Sequence, residues 1–352
     1  MKITERLRHV KQIGGGGSTR SRLIIALKIA VTLTFMAVAL RHVGLRAQLA
    51  NWSSLHVGHM AVACLTILLT QVLAAVRWNV LLTRWEIALT FGQAFRLNMV
   101  GLFFNMAFPT SVGGDAVKAF FLARHSGKGP ESVMSLLLAR FLGIVVLLTI
   151  GLVAGVVFAW SLLPRWVLGS AAALIAAAIL GAVVVLRSSW IGRWTKASQR
   201  GAVGMLRRAL AALQFAGHDG WLMVELVILS FFIQIVSIHG YYEAALAIGM
   251  RTSYLHFLIF VPLTNAVAMV PVSIFGLGLR ENSFAFFFAL VGIAPALAVS
   301  MSLTWFLAYL LTSLTGGLFL LTLEESFFLA TSARPAGGSE VSVGIVHERE
   351  VL

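Results

Sequence analysis

Charge is scarce in this chain, and acid scarcer still. Of 352 residues only 11% are Asp, Glu, Lys or Arg, and 13 of those are acidic against 27 basic. Soluble domains carry roughly 25% charged residues, so a soluble enzyme and a disordered chain are both excluded at 59% hydrophobic content. A single cysteine, Cys64, excludes an intrachain disulfide and leaves the redox compartment unread. Residues 14–18, Gly14-Gly15-Gly16-Gly17-Ser18, are followed by no Gly-Lys-Ser/Thr, so no Walker loop is present. No His, Cys or carboxylate cluster has metal-ligand spacing and no nucleophile elbow occurs, so no catalysis, metal or cofactor is expected. The net charge of +14 is not interleaved with aromatics as a nucleic-acid surface would be, and nucleic acid is not an expected partner.

What the chain does have is a succession of apolar stretches of about 20 residues, the length that spans a bilayer as helix. The expected fold class is therefore all-α, a polytopic membrane protein. Six full spans are expected: Leu23–Leu40, Leu55–Val76, Glu131–Trp160, Trp166–Leu186, Trp221–Met250 and Pro295–Leu323. Trp52, Trp78, Trp160, Trp166, Trp190 and Trp221 flank them as an interfacial belt. A cleaved signal peptide competes for the first stretch, with Ala37-Val38-Ala39 as its cleavage site, but the long basic segment before it favours an uncleaved span.

Two further apolar stretches, Phe91–Gly114 and Tyr254–Gly278, are interrupted by Pro and Gly and read as re-entrant segments. With that assignment the N-terminus, residues 77–130, residues 187–220 and the C-terminal tail hold 20 of the 27 Lys and Arg. The positive-inside rule then places both termini in the cytoplasm of a cytoplasmic (inner) membrane protein. The expected organisation is a basic segment 1–22, a membrane domain 23–325 and a polar tail 326–352 that is disordered.

The two broken stretches resemble each other. Pro-x-Ser-(Val/Ile)-x-Gly occurs at Pro109, Ser111 and Gly114 and again at Pro271, Ser273 and Gly276, with Asn105 and Asn265 opening the two segments. Gly113 and Gly278 belong to the same runs. Each copy follows a full span and precedes a shorter helix and another span, giving repeat halves of about 55–160 and 221–323. Three spans separate the copies, and an odd number inverts the second. Matching Pro/Gly-interrupted segments in inverted repeats point to a secondary transporter's binding site, because unwound backbone in a bilayer survives only inside protein or around a wet cavity. Glycine for close helix packing, with a chance Pro-Ser-Gly match, is the competing reading.

Pro109 to Asp115 with Lys118, and Pro271 to Glu281 with Gly-Leu-Gly-Leu-Arg-Glu, resemble the two signature segments of the lysylphosphatidylglycerol synthase transmembrane-region family, also described as flippase-like. Arg77-Trp78 and Arg140 fit the same pattern, and the resemblance covers residues 23 to 325. It implies a membrane protein that moves or handles lipids such as aminoacylated phosphatidylglycerol, hopanoid-related or polyprenyl-linked molecules. The full synthases also carry a soluble domain that attaches the amino acid; residues 326–352 leave no place for it here, so synthase chemistry is not expected.

The charged residues carry two readings each. Asp115 either N-caps the helix from Ala116 or contacts a headgroup or carries a proton, with Lys118 one turn on suited to phosphate. Arg140 lies roughly 13 Å into its span, where a charge costs about 2.5–3.5 kcal/mol and needs a partner: Asp115, or a lipid phosphate. Arg280 and Glu281 either pair locally and seal their loop or face the headgroup. Glu243, His239 and Glu225 near span ends are expected to snorkel. Arg193, Lys196, Arg200, Arg207 and Arg208 set topology, with attraction to anionic lipid secondary.

The leading expectation is thus a lipid transporter whose partners are its membrane lipid and a lipid-biosynthetic enzyme. The alternative is a non-catalytic membrane subunit that binds a lipid intermediate for a separate lipid-modifying enzyme. A third reading is transport of a small solute or ion on the same inverted plan.

Overall fold

The computed structural model describes residues 33–38, 55–107, 113–158, 165–187, 219–269 and 273–332, with residues 30 and 160 beside them. They form α1 (Val57–Arg84), α2 (Phe91–Ala107), α3 (Gly113–Ser126), α4 (Gly129–Phe158), α5 (Arg165–Arg187), α6 (Gly220–Ala247), α7 (Tyr254–Ala268), a 3-10 turn (Ile274–Gly276), α8 (Leu279–Ala289) and α9 (Pro295–Ser332). No strand occurs among the described residues.

Four helices are long and apolar enough to cross a bilayer: α1, α4, α6 and α9 as far as Leu320. Only 28, 39, 22 and 50% of their apolar stretches are buried, so most of that surface faces outward, where Leu65, Leu69, Val153, Phe231 and Phe232 are exposed. Such continuous apolar surface is unstable in water and suits hydrocarbon. The chain is a multi-pass membrane protein. Of the other two expected spans, α5 supplies an apolar stretch at Arg165–Gly181. Leu23–Leu40 lies outside the described residues apart from helical residue 30 and residues 33–38.

Two boundaries differ from expectation. The span expected to stop at Val76 continues to Arg84, because Trp78, Leu81 and Leu82 pack at 2, 1 and 0% exposure into a core shared with α2, α3, α4 and α6. The last helix continues to Ser332, so the start of the expected tail, residues 326–332, is helical. No Gly or Pro interrupts residues 318–334 to stop it sooner. The rest of the tail lies outside the described residues.

The helices fall into two units of like order: span α1, hairpin α2–α3, span α4; then span α6, hairpin α7–α8, span α9. The hairpin arms hold 17, 14, 15 and 11 residues. At 1.5 Å per residue these are about 26, 21, 22 and 16 Å, short of a hydrocarbon core of about 30 Å. Each arm packs on its partner: Gly114 on Gly101 in the first hairpin, Phe260 on Phe287 at 5.7 Å in the second. Both segments are therefore re-entrant in shape.

The opening spans of the two units run antiparallel. Arg84 Nη1 meets Asp219 Oδ2 at 2.8 Å, Arg77 Nη1 donates to Ser230 Oγ at 2.7 Å, and His59 Nδ1 lies 2.7 Å from Glu243 Oε2. Ascending α1 thus descends α6, and the units are inverted. Asp219 also caps α6 by accepting from Leu222 N–H at 3.0 Å. Pro262 inside α7 removes one backbone bond and pushes outward, and Gly151 of α4 leaves room for it, since a Cβ there would stand 2.7 Å from the proline ring.

Candidate functional site: two broken hairpins on one central helix

At the first break Asn105, in the last turn of α2, accepts the Gly114 N–H with Oδ1 at 2.9 Å. That bond satisfies one of the free donors at the start of α3. It also corrects the expectation that Asp115 caps a helix from Ala116: α3 begins at Gly113, and Asp115 stands inside its first turn. Its carboxylate is held by Lys118 Nζ at 2.8 Å and by Arg140 Nη2 at 3.2 Å from α4. Lys118 also lies 3.5 Å from Asn98 Oδ1 and 5.8 Å from the centre of the Trp78 ring. One carboxylate faces two cations here, so the cluster keeps a net positive charge. The side chains of Asp115, Lys118 and Arg140 remain 20, 15 and 35% exposed. Pro109 and Ser111 lie outside the described residues.

The second break is closed. Gly278 has φ +82°, a conformation other residues rarely adopt, and a Cβ there would strike Phe35 and Met36. Glu281 Oε2 accepts the Gly278 N–H at 2.6 Å, and Oε1 accepts from Arg280 Nη2 at 2.7 Å and Ser302 Oγ at 2.9 Å. The Arg280 guanidinium lies 5.1 Å from the Trp305 ring and 5.4 Å from Phe306. With side chains 3 and 0% exposed, Arg280 and Glu281 form the local pair, shielded from solvent. Gly276 (φ +70°) turns the chain against Ala268. Ser273 is buried with no partner for Oγ among the described residues, and Pro271 lies outside them.

Both breaks meet α9. Ser302 touches the second and Tyr309 the first, seven residues apart, about 10 Å along a helix. Tyr309 lies beside Asn105, and Tyr241 donates to Asn265 Oδ1 at 3.4 Å and lies beside Arg280. Between them the rings stack: Tyr241 on Trp305 at 4.2 Å, Trp305 beside Tyr309 at 5.4 Å. A continuous ladder of Asn105, Tyr309, Trp305, Tyr241 and Asn265 therefore joins the two hairpins. Sequence reasoning missed it. The available signal was that only four tyrosines occur, three of which, Tyr241, Tyr242 and Tyr309, stand inside apolar spans.

At the far ends of α1 and α6, Glu243 does not snorkel. It is 8% exposed and accepts from His59 at 2.7 Å and approaches His239 Nε2 at 3.2 Å, because α1 packs over it. Glu225 lines a groove with Val76, Asn79 and Arg84 at the opposite end. Arg193, Lys196, Arg200, Arg207 and Arg208 lie outside the described residues. Among the described residues no group of His, Cys, Asp and Glu is arranged to hold a metal ion.

A family model described as the lysylphosphatidylglycerol synthase transmembrane region matches residues 25–317. The UPF0104 membrane protein PH1989 of Pyrococcus horikoshii is 23% identical over 321 residues, covering 84% of this chain and 96% of that protein. No solved structure gives a significant match.

Proposed function

The chain belongs to the lysylphosphatidylglycerol synthase transmembrane-region family, and from that premise we propose that it moves an anionic or modified lipid between the leaflets of the cytoplasmic membrane, without chemistry on the lipid. Aminoacyl-phospholipids, hopanoid-related lipids and polyprenyl-linked lipids are the candidate cargoes. The end bearing Arg84, Arg124 and Lys128 would face the cytoplasm under the positive-inside rule.

One observation carries this reading. Within an inverted repeat, the charged cluster of one unit is open and that of the other is closed: Asp115 is 20% exposed and Glu281 0%. Equivalent halves in unequal states, meeting on one helix, are what alternating access requires at one end of its cycle. In this account the first break receives the headgroup through Lys118 and Arg140, and Asp115 balances them when the site is empty. Arg280 and Glu281 would open in turn on the other side.

The test is translocation of headgroup-labelled lipid in vesicles of total bacterial lipid containing the purified chain, wild type beside Asp115→Asn. The reading expects movement that the variant slows at least tenfold while remaining folded. Stable lipid binding without movement would favour the alternative, a membrane subunit that holds a lipid intermediate for a separate enzyme. No lipid binding or movement by folded wild type would refute both.

A further inference from the structure

A third cation lies outside the ion-pair network of the first break. Arg77 is in the inner part of α1, yet its Nε is shut off from solvent and meets no acceptor. Its Nη1 donates to Ser230 Oγ at 2.7 Å, and that hydroxyl is its sole hydrogen-bond partner among the described residues. No carboxylate among them pairs with it. Glu225, on the same helix as Ser230, lies five positions away in the groove with Val76 and Asn79.

An arginine in this setting is costly. Insertion at mid-span costs about 2.5–3.5 kcal/mol, and natural membrane proteins offset it by pairing the charge. Its fork is shaped for bidentate oxyanions. A neutral hydroxyl on one nitrogen leaves that demand unmet.

The surroundings say what fills it. Arg77 Nη1 stands 3.8 Å from the place a Cβ on Gly143 would occupy, and Gly143 lies one helical turn beyond Arg140 on the same face of α4. Gln234 Nε2 donates to the Gly143 carbonyl at 2.9 Å and would stand 3.3 Å from the same Cβ. Arg77 of α1 thus meets α4 one turn beyond Arg140, whose ion-pair partner is Asp115.

We propose that Arg77 is an anion-binding residue that takes a phosphate-class oxyanion on the face of the bundle shared with Arg140. The inference rests on the lipid-handling reading for its ligand, a lipid phosphate. The same chemistry would also accept free phosphate.

The experiment uses the full chain in detergent micelles, titrated separately with short-chain phosphatidylglycerol, inorganic phosphate and uncharged diacylglycerol, and read by thermal shift. Wild type is expected to gain stability from phosphatidylglycerol and none from diacylglycerol. Arg77→Gln should raise the apparent Kd about tenfold or more, while its melting temperature without ligand stays equal or rises, since an uncompensated charge is gone. Arg77→Lys keeps the charge without the fork and should weaken binding several-fold; it serves alone if Arg77→Gln does not fold. Stabilisation by inorganic phosphate equal to that by the lipid, and equally dependent on Arg77, would keep the anion site and remove the lipid from it. Phosphatidylglycerol binding indifferent to both substitutions would overturn the proposal and leave the lipid-handling reading standing. No stabilisation of wild type by either phosphate compound overturns the proposal as well.

Discussion

Asp115 and Glu281 occupy the same place in two inverted hairpins. Each is the acidic residue in the first turn of its hairpin's second arm, and each is bonded from the span that follows, Asp115 by Arg140 and Glu281 by Ser302. Their surroundings differ. Asp115 shares its two cations with solvent-accessible space, while Glu281 satisfies Gly278, Arg280 and Ser302 with no exposure at all. The first arrangement is open to exchange of partners; the second is locked by its own hydrogen bonds.

Glu281→Gln leaves Arg280 buried without a counter-charge. Breaking a buried pair from one side costs about 3–5 kcal/mol, and unfolding in detergent is expected to show a loss of that order. Arg280→Met combined with Glu281→Leu removes both charges and should recover part of it. A single variant as stable as wild type would mean that the pair is not closed in the folded protein.

Glu243 and Glu225 separate burial from position. Both are acids near the ends of α6, but only Glu243 is enclosed, with His59 and His239 on its two oxygens. Glu243→Ala should cost about 2 kcal/mol by removing a buried carboxylate from its two half-exposed histidine partners, and Glu225→Ala no more than about 0.5 kcal/mol. Thermal unfolding of the two variants side by side decides it; equal losses would contradict the packing of α1 over Glu243.

Gly278→Ala tests the seat of the residues 33–38 helix. The positive φ alone costs an alanine about 1 kcal/mol, and the new methyl would push on Phe35, whose carbonyl also accepts Asn282 Nδ2 at 2.9 Å. Faster hydrogen exchange is expected in residues 33–38 and in α8, with α1 unaffected. Unchanged exchange there would show that the contact carries no stability.

Tyr309→Phe cuts the ladder between the hairpins and keeps the ring against Trp305. Loss of one polar contact worth about 1 kcal/mol slows a step that depends on it about fivefold. Lipid translocation is expected to fall by that factor with lipid affinity preserved. A fall in affinity alone would place Tyr309 in the binding site rather than between the two halves.

Much of this was legible in the sequence, and the reasons are particular. Pro109 and Pro271 with their serines and glycines announce breaks in otherwise apolar stretches, and the three spans between them announce inversion. The antiparallel pairing of Arg84 with Asp219 and His59 with Glu243 now gives that inversion a geometric basis. The reading of Glu243 failed because burial of a helix end depends on what another helix lays over it, which local hydropathy does not record. The Tyr309–Asn105 contact joins residues 204 positions apart, beyond any local pattern. The start of α3 lies three residues before the Ala116 of the capping reading because its cap is Asn105, supplied from the preceding arm instead of from the adjacent sequence.

Accessibility of the two breaks is the most direct measure of the account. In a Cys64→Ser background, which removes the single native thiol, Gly113→Cys and Ser273→Cys each place one thiol at a break. A membrane-impermeant maleimide is then added from either side of oriented vesicles, with and without Glu281→Gln. The account predicts that the thiol at position 113 reacts from one side and the thiol at 273 stays silent. Releasing the second seal with Glu281→Gln should expose position 273 from the opposite side and protect position 113. Reaction of both positions from the same side, or exposure of 273 with no loss at 113, would contradict alternating access and with it the transport reading.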